Sequence, residues 1–162
     1  WMLTLAWEPP GMMPKIDFSL MTFKEIPEVA KLEEKCFSSP WSEKALAESL
    51  QNESSYFVCA KSGEKVAGYA GMYYICDEGY VFNIAVDENF RKMKIGTNLL
   101  KHLTDFSKSK NLKFLSLEVR QSNIAAINLY EKLGFKSLGI RKNFYEFPKE
   151  HAVIMTLYFD LN

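Results

Sequence analysis

Residues 81–106 read VFNIAVDENFRKMKIGTNLLKHLTDF. The first six are apolar and strand-like. From Ile95 onward the apolar positions Leu99, Leu100, Leu103 and Phe106 recur at helical spacing, with Lys101, Thr104, Asp105 and Lys108 falling elsewhere. Between the two runs lies Arg91-Lys92-Met93-Lys94-Ile95-Gly96. The first N–H groups of a helix have no partner inside it, and the helix dipole adds partial positive charge there, so such a junction holds phosphate readily. Arg91, Lys92 and Lys94 deepen the positive potential, and Gly96 lets a ligand's oxygens approach the main chain. Taken alone, these six residues describe a solvated basic turn equally well.

Working outward, residues 16–22 alternate as a short strand. Pro27 suits a first helical turn, and a helix follows to about Cys36, its apolar face interrupted by one acid, Glu33. Ser38-Ser39-Pro40 breaks it, and a second short helix covers about 42–50. Residues 56–61 and 66–74 form a hairpin about Ser62-Gly63-Glu64; Glu78-Gly79 makes the next turn and 80–86 the next strand. After the helix from Ile95, residues 114–119 are rich in strand formers. Ser122-Asn123 caps a helix that Gly134 stops near Leu133, and 139–145 and 152–158 close the chain as strands. The order βααβββαβαββ predicts an α+β fold: a central mixed, mostly antiparallel twisted sheet with helices on both faces.

A chain of 162 residues, 48% hydrophobic and 25% charged, suits one soluble domain with a sizeable core. Twenty basic and twenty acidic residues cancel, so no global field draws it to nucleic acid or to an anionic membrane. Three cysteines without a CxxC pair read as free thiols of a reducing cytoplasm. His102 and His151 lie far apart without metal-ligand spacing, so no metal is expected. Residues 1–13 (WMLTLAWEPPGMM) lack a leading cationic cluster and are interrupted by Glu8-Pro9-Pro10-Gly11; they read as an N-terminal extension or appended remnant rather than a signal peptide or membrane span. The domain is placed at 14–162.

Several further blocks follow in order: Asn83-Ile84-Ala85-Val86, Leu117-Glu118-Val119-Arg120, Ser122-Asn123, and Asn128-Leu129-Tyr130-Glu131-Lys132-Leu133-Gly134-Phe135. Together with the basic turn they resemble the GNAT superfamily of acetyl-CoA-dependent N-acetyltransferases. Pro40-Trp41-Ser42-Glu43 and Arg141-Lys142-Asn143-Phe144-Tyr145 bring the resemblance nearest to its RimI-like branch, whose members acetylate the N-terminal alanine of a ribosomal protein.

The resemblance implies that Ile84, Ala85 and Val86 run beside the pantetheine arm of acetyl-CoA. It also implies that Arg91, Lys92, Met93, Lys94, Ile95, Gly96 and Thr97, with Asn123, hold its pyrophosphate end. It gives Glu118 the part of base and Tyr130 that of acid toward the departing sulfur, with direct transfer in a ternary complex. By spacing alone, Glu118 is also a solvated strand carboxylate paired with a cation, Tyr130 a packed member of the Ala126, Leu129, Tyr130, Leu133 stripe, and Asn123 a helix cap. Trp41, Tyr145 and residues 146–150 are candidates for the acceptor groove. Lys94 stands where the family usually has glycine, at a cost on the order of 1 kcal/mol if its φ is positive.

The acceptor expected is a protein N-terminus, that of a ribosomal protein, met in the cytoplasm by a monomer or weak dimer. Acidity favours it: near neutral pH roughly one α-amine in ten is uncharged, against well under one lysine in a thousand. A small amine or lysine acceptor, or a non-catalytic module that binds coenzyme A or a partner, are the alternatives.

Overall fold

The computed structural model describes residues 14–160; the expected extension at 1–13 lies outside the described residues. Strand β1 (Asp17–Leu20) is shorter than 16–22 because Thr22 is taken by a capping box. Its N–H and hydroxyl both donate to the Glu25 carboxylate (3.3 and 2.9 Å), while its side-chain oxygen accepts from Lys24 N (3.3 Å). The resulting 3-10 turn leads into α1 (Ile26–Cys36), with Pro27 in the first turn. Ser42 caps α2 (Glu43–Gln51), its Oγ accepting from Ala45 N at 3.1 Å.

Strands β2 (Ser55–Ser62), β3 (Lys65–Ile75) and β4 (Glu78–Val86) form an antiparallel meander. Glu78 and Gly79, expected as a turn, begin β4 instead; Cys76, at φ 55°, carries the chain round just before them. The glycine serves close packing, since a Cβ there would lie 3.0 Å from Leu112 Cδ1 and 3.1 Å from Phe114 O.

Helix α3 (Ile95–Ser109) carries the chain over to β5 (Phe114–Arg120), which lies parallel to β4. Asn123 caps α4 (Ile124–Lys132), and Gly134 follows it at φ 96°. β6 (Lys136–Glu146) and β7 (Lys149–Tyr158) finish the sheet, whose order is β1-β2-β3-β4-β5-β7-β6. The last strand is thus inserted between β5 and β6, and among the described residues β4–β5 is the one parallel pair.

Two apolar clusters flank this sheet. α3 presses Ile95, Leu99, Leu100 and Leu103, all but fully buried, against Val58, Ala70, Met72, Leu115 and Leu117, with Tyr130 and other α4 residues packed beside them. On the opposite face α1 and α2 bury Val29, Leu32 and Leu46 over Phe57, Tyr69 and Ala85. Each such side chain contributes about 1.5–3 kcal/mol by leaving water.

Near the middle of β4 the ladder slips. Gly71 pairs with Asn83 but Met72 with Val81, so Phe82 is an extra residue, and Phe82 and Asn83 both face α1. Gly71 lies opposite this bulge with the Phe57 ring directly over it, and a Cβ there would overlap that ring. Phe57 is 3% exposed and has nowhere to go. Gly71→Ala is therefore expected to destabilise the fold by about 2–3 kcal/mol, read as a drop in the thermal unfolding midpoint.

Candidate active site

β4 and β5 pair only through Glu78↔Phe114, Gly79↔Leu115 and Tyr80↔Ser116. Immediately after these rungs comes the bulge at Phe82, and the two strands part. The gap opens into a cleft of about 650 Å³. Its walls are β4 residues 81–84, β5 residues 117–120, Asn123 and Tyr130 of the α4 segment, residues 36–39 with Trp41 after α1, and 144–148 of the β6–β7 hairpin.

Main-chain polarity along the gap follows from register. Asp87 N donates to Ala67 O (2.8 Å), and the antiparallel pairs Gly68↔Val86, Tyr69↔Ala85 and Ala70↔Ile84 alternate from there. The main-chain groups of Ala85 turn toward β3, while those of Ile84 and Val86 turn toward the gap. Ala85, expected as a cofactor contact, has its methyl buried on the α1 face, 3% exposed, and its main chain engaged by β3; that placement removes it from the gap. Ile84 lines the cleft directly, and the Cys36 thiol donates to Val86 O at 3.8 Å.

Glu118, Tyr130, Ile84, Asn123, Trp41 and Tyr145 therefore meet around one cleft, although they come from five separate segments. Glu118 lies on the side of β5 away from α3, where Arg141 NH1 donates to its Oε1 at 2.5 Å. The pairing with a cation foreseen for this carboxylate is thus present, but Arg141 is 54% exposed and Glu118 32%. Such a pair is worth about 0–1 kcal/mol, so a competing ammonium displaces it at small cost.

The Tyr130 ring packs against Phe135, centroids 5.9 Å apart, and its hydroxyl group is pushed up to about 12 by burial and, less, by Tyr145. Burial pushes Tyr145 up to about 12 as well, with Glu118 adding to it and Arg120 opposing. Both phenols stay protonated throughout the physiological range.

The phosphate-type turn stands outside the cleft lining but beside it. Gly96 neighbours Val86 and Leu129: a Cβ there would meet their methyls at 3.9 and 3.5 Å. Lys92 and Lys94 both adopt left-handed backbone, φ 65° and 58°, with Met93 between them outside that region. Such alternation gathers successive N–H groups into an anion-binding concavity. Among the described residues, none of the amides of 92–97 donates to another group of the protein. Arg91, Lys92 and Lys94 are exposed beside them, and Lys94 makes no side-chain cap. Asn123 does cap α4, its Oδ1 accepting from Ala126 N at 3.2 Å, and also lines the cleft.

Three residues that the sequence did not single out for the site, Arg120, His151 and Cys36, shape it together with Glu150 of the expected 146–150 loop. Arg120 donates to Pro148 O (2.9 Å), Phe147 O (3.1 Å), Glu150 Oε1 (3.3 Å) and Ser38 Oγ (3.3 Å), and lies over the Tyr145 ring at 4.3 Å. It clamps the β6–β7 hairpin and the segment after α1 to the end of β5. Glu150 also accepts from Ser122 N at 2.7 Å; its carboxyl is held below the usual range chiefly by the Ser122 bonds and Arg120. His151 Nδ1 accepts from Asn143 N (2.9 Å), fixing the irregular part of β6 next to Phe144. The thiol of Cys36 lines the cleft too, but burial and Glu33 push its pKa up, which works against thiolate formation and nucleophilic use. The only signal of Arg120 in the sequence was its place in the Leu117–Arg120 block, because its partners lie up to 82 residues away.

Comparison with known proteins supplies the family. The model of the acetyltransferase (GNAT) family matches residues 26–135. The [ribosomal protein bS18]-alanine N-acetyltransferase of Escherichia coli K12 is 38% identical over 135 residues, covering 82% of this chain and 90% of that protein. The enzyme of the same name from Salmonella typhimurium is 37% identical over 143 residues, covering 86% and 95%. The crystal structure of the E. coli enzyme superposes with a TM-score of 0.84 at 35% identity, covering 91% of this chain and 96% of that one. Ard1 from Thermoplasma volcanium, 23% identical with a TM-score of 0.83, shares the fold. On the match of family model, sequence and fold together, this chain belongs to the GNAT family of acetyltransferases.

Proposed function

We propose that the chain transfers the acetyl group of acetyl-CoA directly to the N-terminal α-amine of a protein in a ternary complex, the acceptor being a ribosomal protein that begins with alanine. The observation that carries this reading is the parted β4–β5 gap. The gap-facing main-chain groups of Ile84, with the Val86 N–H, suit the amides of a pantetheine arm as an added strand would, and the gap ends at a cleft that holds both Glu118 and Tyr130. The free amides at 92–97, flanked by three cations, suit the pyrophosphate. The relatives' acceptor, the alanine terminus of bS18, gives the chemical class. A cytoplasmic location follows from that acceptor, and among the described residues no helix is long and apolar enough to cross a membrane.

The chemistry divides between two side chains. An arriving ammonium displaces Arg141 from Glu118 and gives its proton to the carboxylate, directly or through water. The neutral nitrogen attacks the thioester carbonyl, a C–N bond forms, the nitrogen sheds its second proton to water, the C–S bond breaks and the sulfur leaves as thiolate. Burial pushes the phenol up to about 12, so Tyr130 keeps its proton while the sulfur departs. Tyr130 therefore acts as a neutral hydrogen-bond donor that stabilises the departing sulfur, and solvent completes its protonation.

Incubating the protein with acetyl-CoA and a peptide beginning with alanine, then weighing the products, tests the reading. An acetylated N-terminus is expected; turnover confined to a polyamine or an aminoglycoside would overturn it. Glu118→Gln should slow the peptide reaction about tenfold near pH 7, the factor set by the neutral fraction of an α-amine, and the deficit should shrink as pH rises past 8. Tyr130→Phe should lower kcat about 10²-fold with the KM for acetyl-CoA little changed, as for loss of one donor to a developing anion. Because the raised pKa keeps the phenol protonated until pH approaches 12, no loss of rate through Tyr130 is expected in the wild type up to about pH 10. For Lys94→Gly, the backbone strain relieved is present with and without ligand, so affinity responds to the lost cation alone. The Kd for coenzyme A, measured by calorimetry, should rise about two- to fivefold.

A further inference from the structure

Glu33 lies on the buried face of α1 with none of its surface exposed. Its carboxylate accepts three hydrogen bonds from three different elements: the Tyr69 hydroxyl of β3, Asn83 Nδ2 of β4 at 3.0 Å, and Trp41 N, in the segment joining α1 to α2, at 3.3 Å. Burial raises its pKa while these three donors pull the other way. As a means of stabilising the fold this is a poor device. Desolvating a carboxylate costs several kcal/mol, and an apolar residue of similar volume packs a helix face at least as well. What three convergent donors do supply is orientation.

Two of the donors belong to the cleft. Asn83 is the residue after the bulged Phe82; alternation from Ala85 turns it toward α1, and the bulge brings Phe82 to the same side. An amide turned toward an apolar helix face needs a partner, and Glu33 is that partner. Trp41 meets the Phe82 ring edge-on at 5.0 Å, so the same carboxylate fixes both members of that contact through their main chain or neighbour. One side of the cleft is the strand whose free groups face the gap; the other is the segment expected to flank the acceptor.

We propose that Glu33 is a positioning residue for acetyl transfer: it locks the β4 bulge to the Trp41 segment, so that the thioester and the acceptor amine are presented in one fixed geometry. This rests on the cleft being the place of transfer, as proposed above. Glu33 touches neither substrate.

Glu33→Gln keeps the shape but leaves one acceptor oxygen, so at least one of the three donors loses its partner. It also removes a buried charge, which offsets the unpaired donor, so the thermal midpoint should change little. Hydrogen exchange in segments 37–42 and 81–86 should quicken at least about tenfold, while kcat on the amine substrate falls about 30-fold and the KM for acetyl-CoA stays within about twofold, as misplacement by a fraction of an ångström would give. Tyr69→Phe is the control. It removes the donor that does not line the cleft and leaves the Asn83 and Trp41 bonds in place, so kcat should remain within about threefold of wild type.

Unchanged exchange in both segments in Glu33→Gln would overturn the proposal whatever the acceptor proves to be. So would a normal kcat, or an equal loss of rate in Tyr69→Phe accompanied by a fall in stability. If the wild type ignores peptide N-termini but turns over another amine, the acceptor reading fails, and the same comparison is made on that amine.

Discussion

The parting of β4 from β5 after three rungs is the constraint on which the rest of the molecule turns. A strand in the middle of a sheet normally spends its main-chain polar groups on both neighbours, and buried groups left unpaired cost free energy. Beyond Tyr80 and Ser116 the facing sides of these strands have no such neighbour, although each is paired on its other side, β4 to β3 on either side of the bulged Phe82 and β5 to β7. The opening is therefore a standing demand for something extended and rich in amide groups. The bulge keeps it open by putting one residue too many into β4 where the ladder would otherwise continue, and Gly71 leaves the space for Phe57 that lets the slip settle.

The far wall of the cleft depends on chain order. Because β7 inserts between β5 and β6, the β6–β7 hairpin folds back over the end of β5 rather than continuing the sheet away from it. Arg120 converts that proximity into a defined surface. Two of its bonds go to carbonyls of the hairpin turn, one to Glu150 and one across to Ser38, and its plane covers Tyr145. A guanidinium suits this place because its donors form a rigid fork; a lysine would offer one point charge. The clamp and the Glu33 hub both anchor the segment after α1, at Ser38 and at Trp41, and both hold protein rather than ligand.

What could be read in the sequence was whatever local chemistry encodes. The apolar stripe of α3, the Asn123 cap, the glycine after α4 and the alternation of β5 each need only their neighbours in the chain, and the element order followed from them. Gly79 was misread for a related reason: a glycine announces backbone freedom or close packing, and only the tertiary neighbours Leu112 and Phe114 show that packing applies. The site residues were legible as blocks, through resemblance, whereas the relations between them were not. Arg141 meets Glu118 across 23 residues and Arg120 reaches Ser38 across 82, and no periodicity records such pairs. Ala85 was included because its neighbours were, yet the two-residue period of a strand turns it the opposite way. Glu33 left one trace, an acid on an otherwise apolar helical face, which burial and three donors now explain.

The basic turn carries the same division between backbone and charge. Glycine in the left-handed region gives a turn its shape and leaves the backbone bare; lysine gives the same shape at a cost of about 1–2 kcal/mol and adds a cation. Two lysines in that region, with three exposed cations and six free amides, make a turn whose shape is held by the main chain and whose proposed attraction for phosphate is supplemented by charge. Its attraction to phosphate must then weaken with ionic strength more than that of a glycine turn relying on amides alone, since exposed charges are screened within about 8 Å at physiological salt. In the proposed chemistry Tyr130 is neutral, whereas the exposed Arg141–Glu118 pair is screened by salt as the basic turn is, so ionic strength acts on both proposed sites.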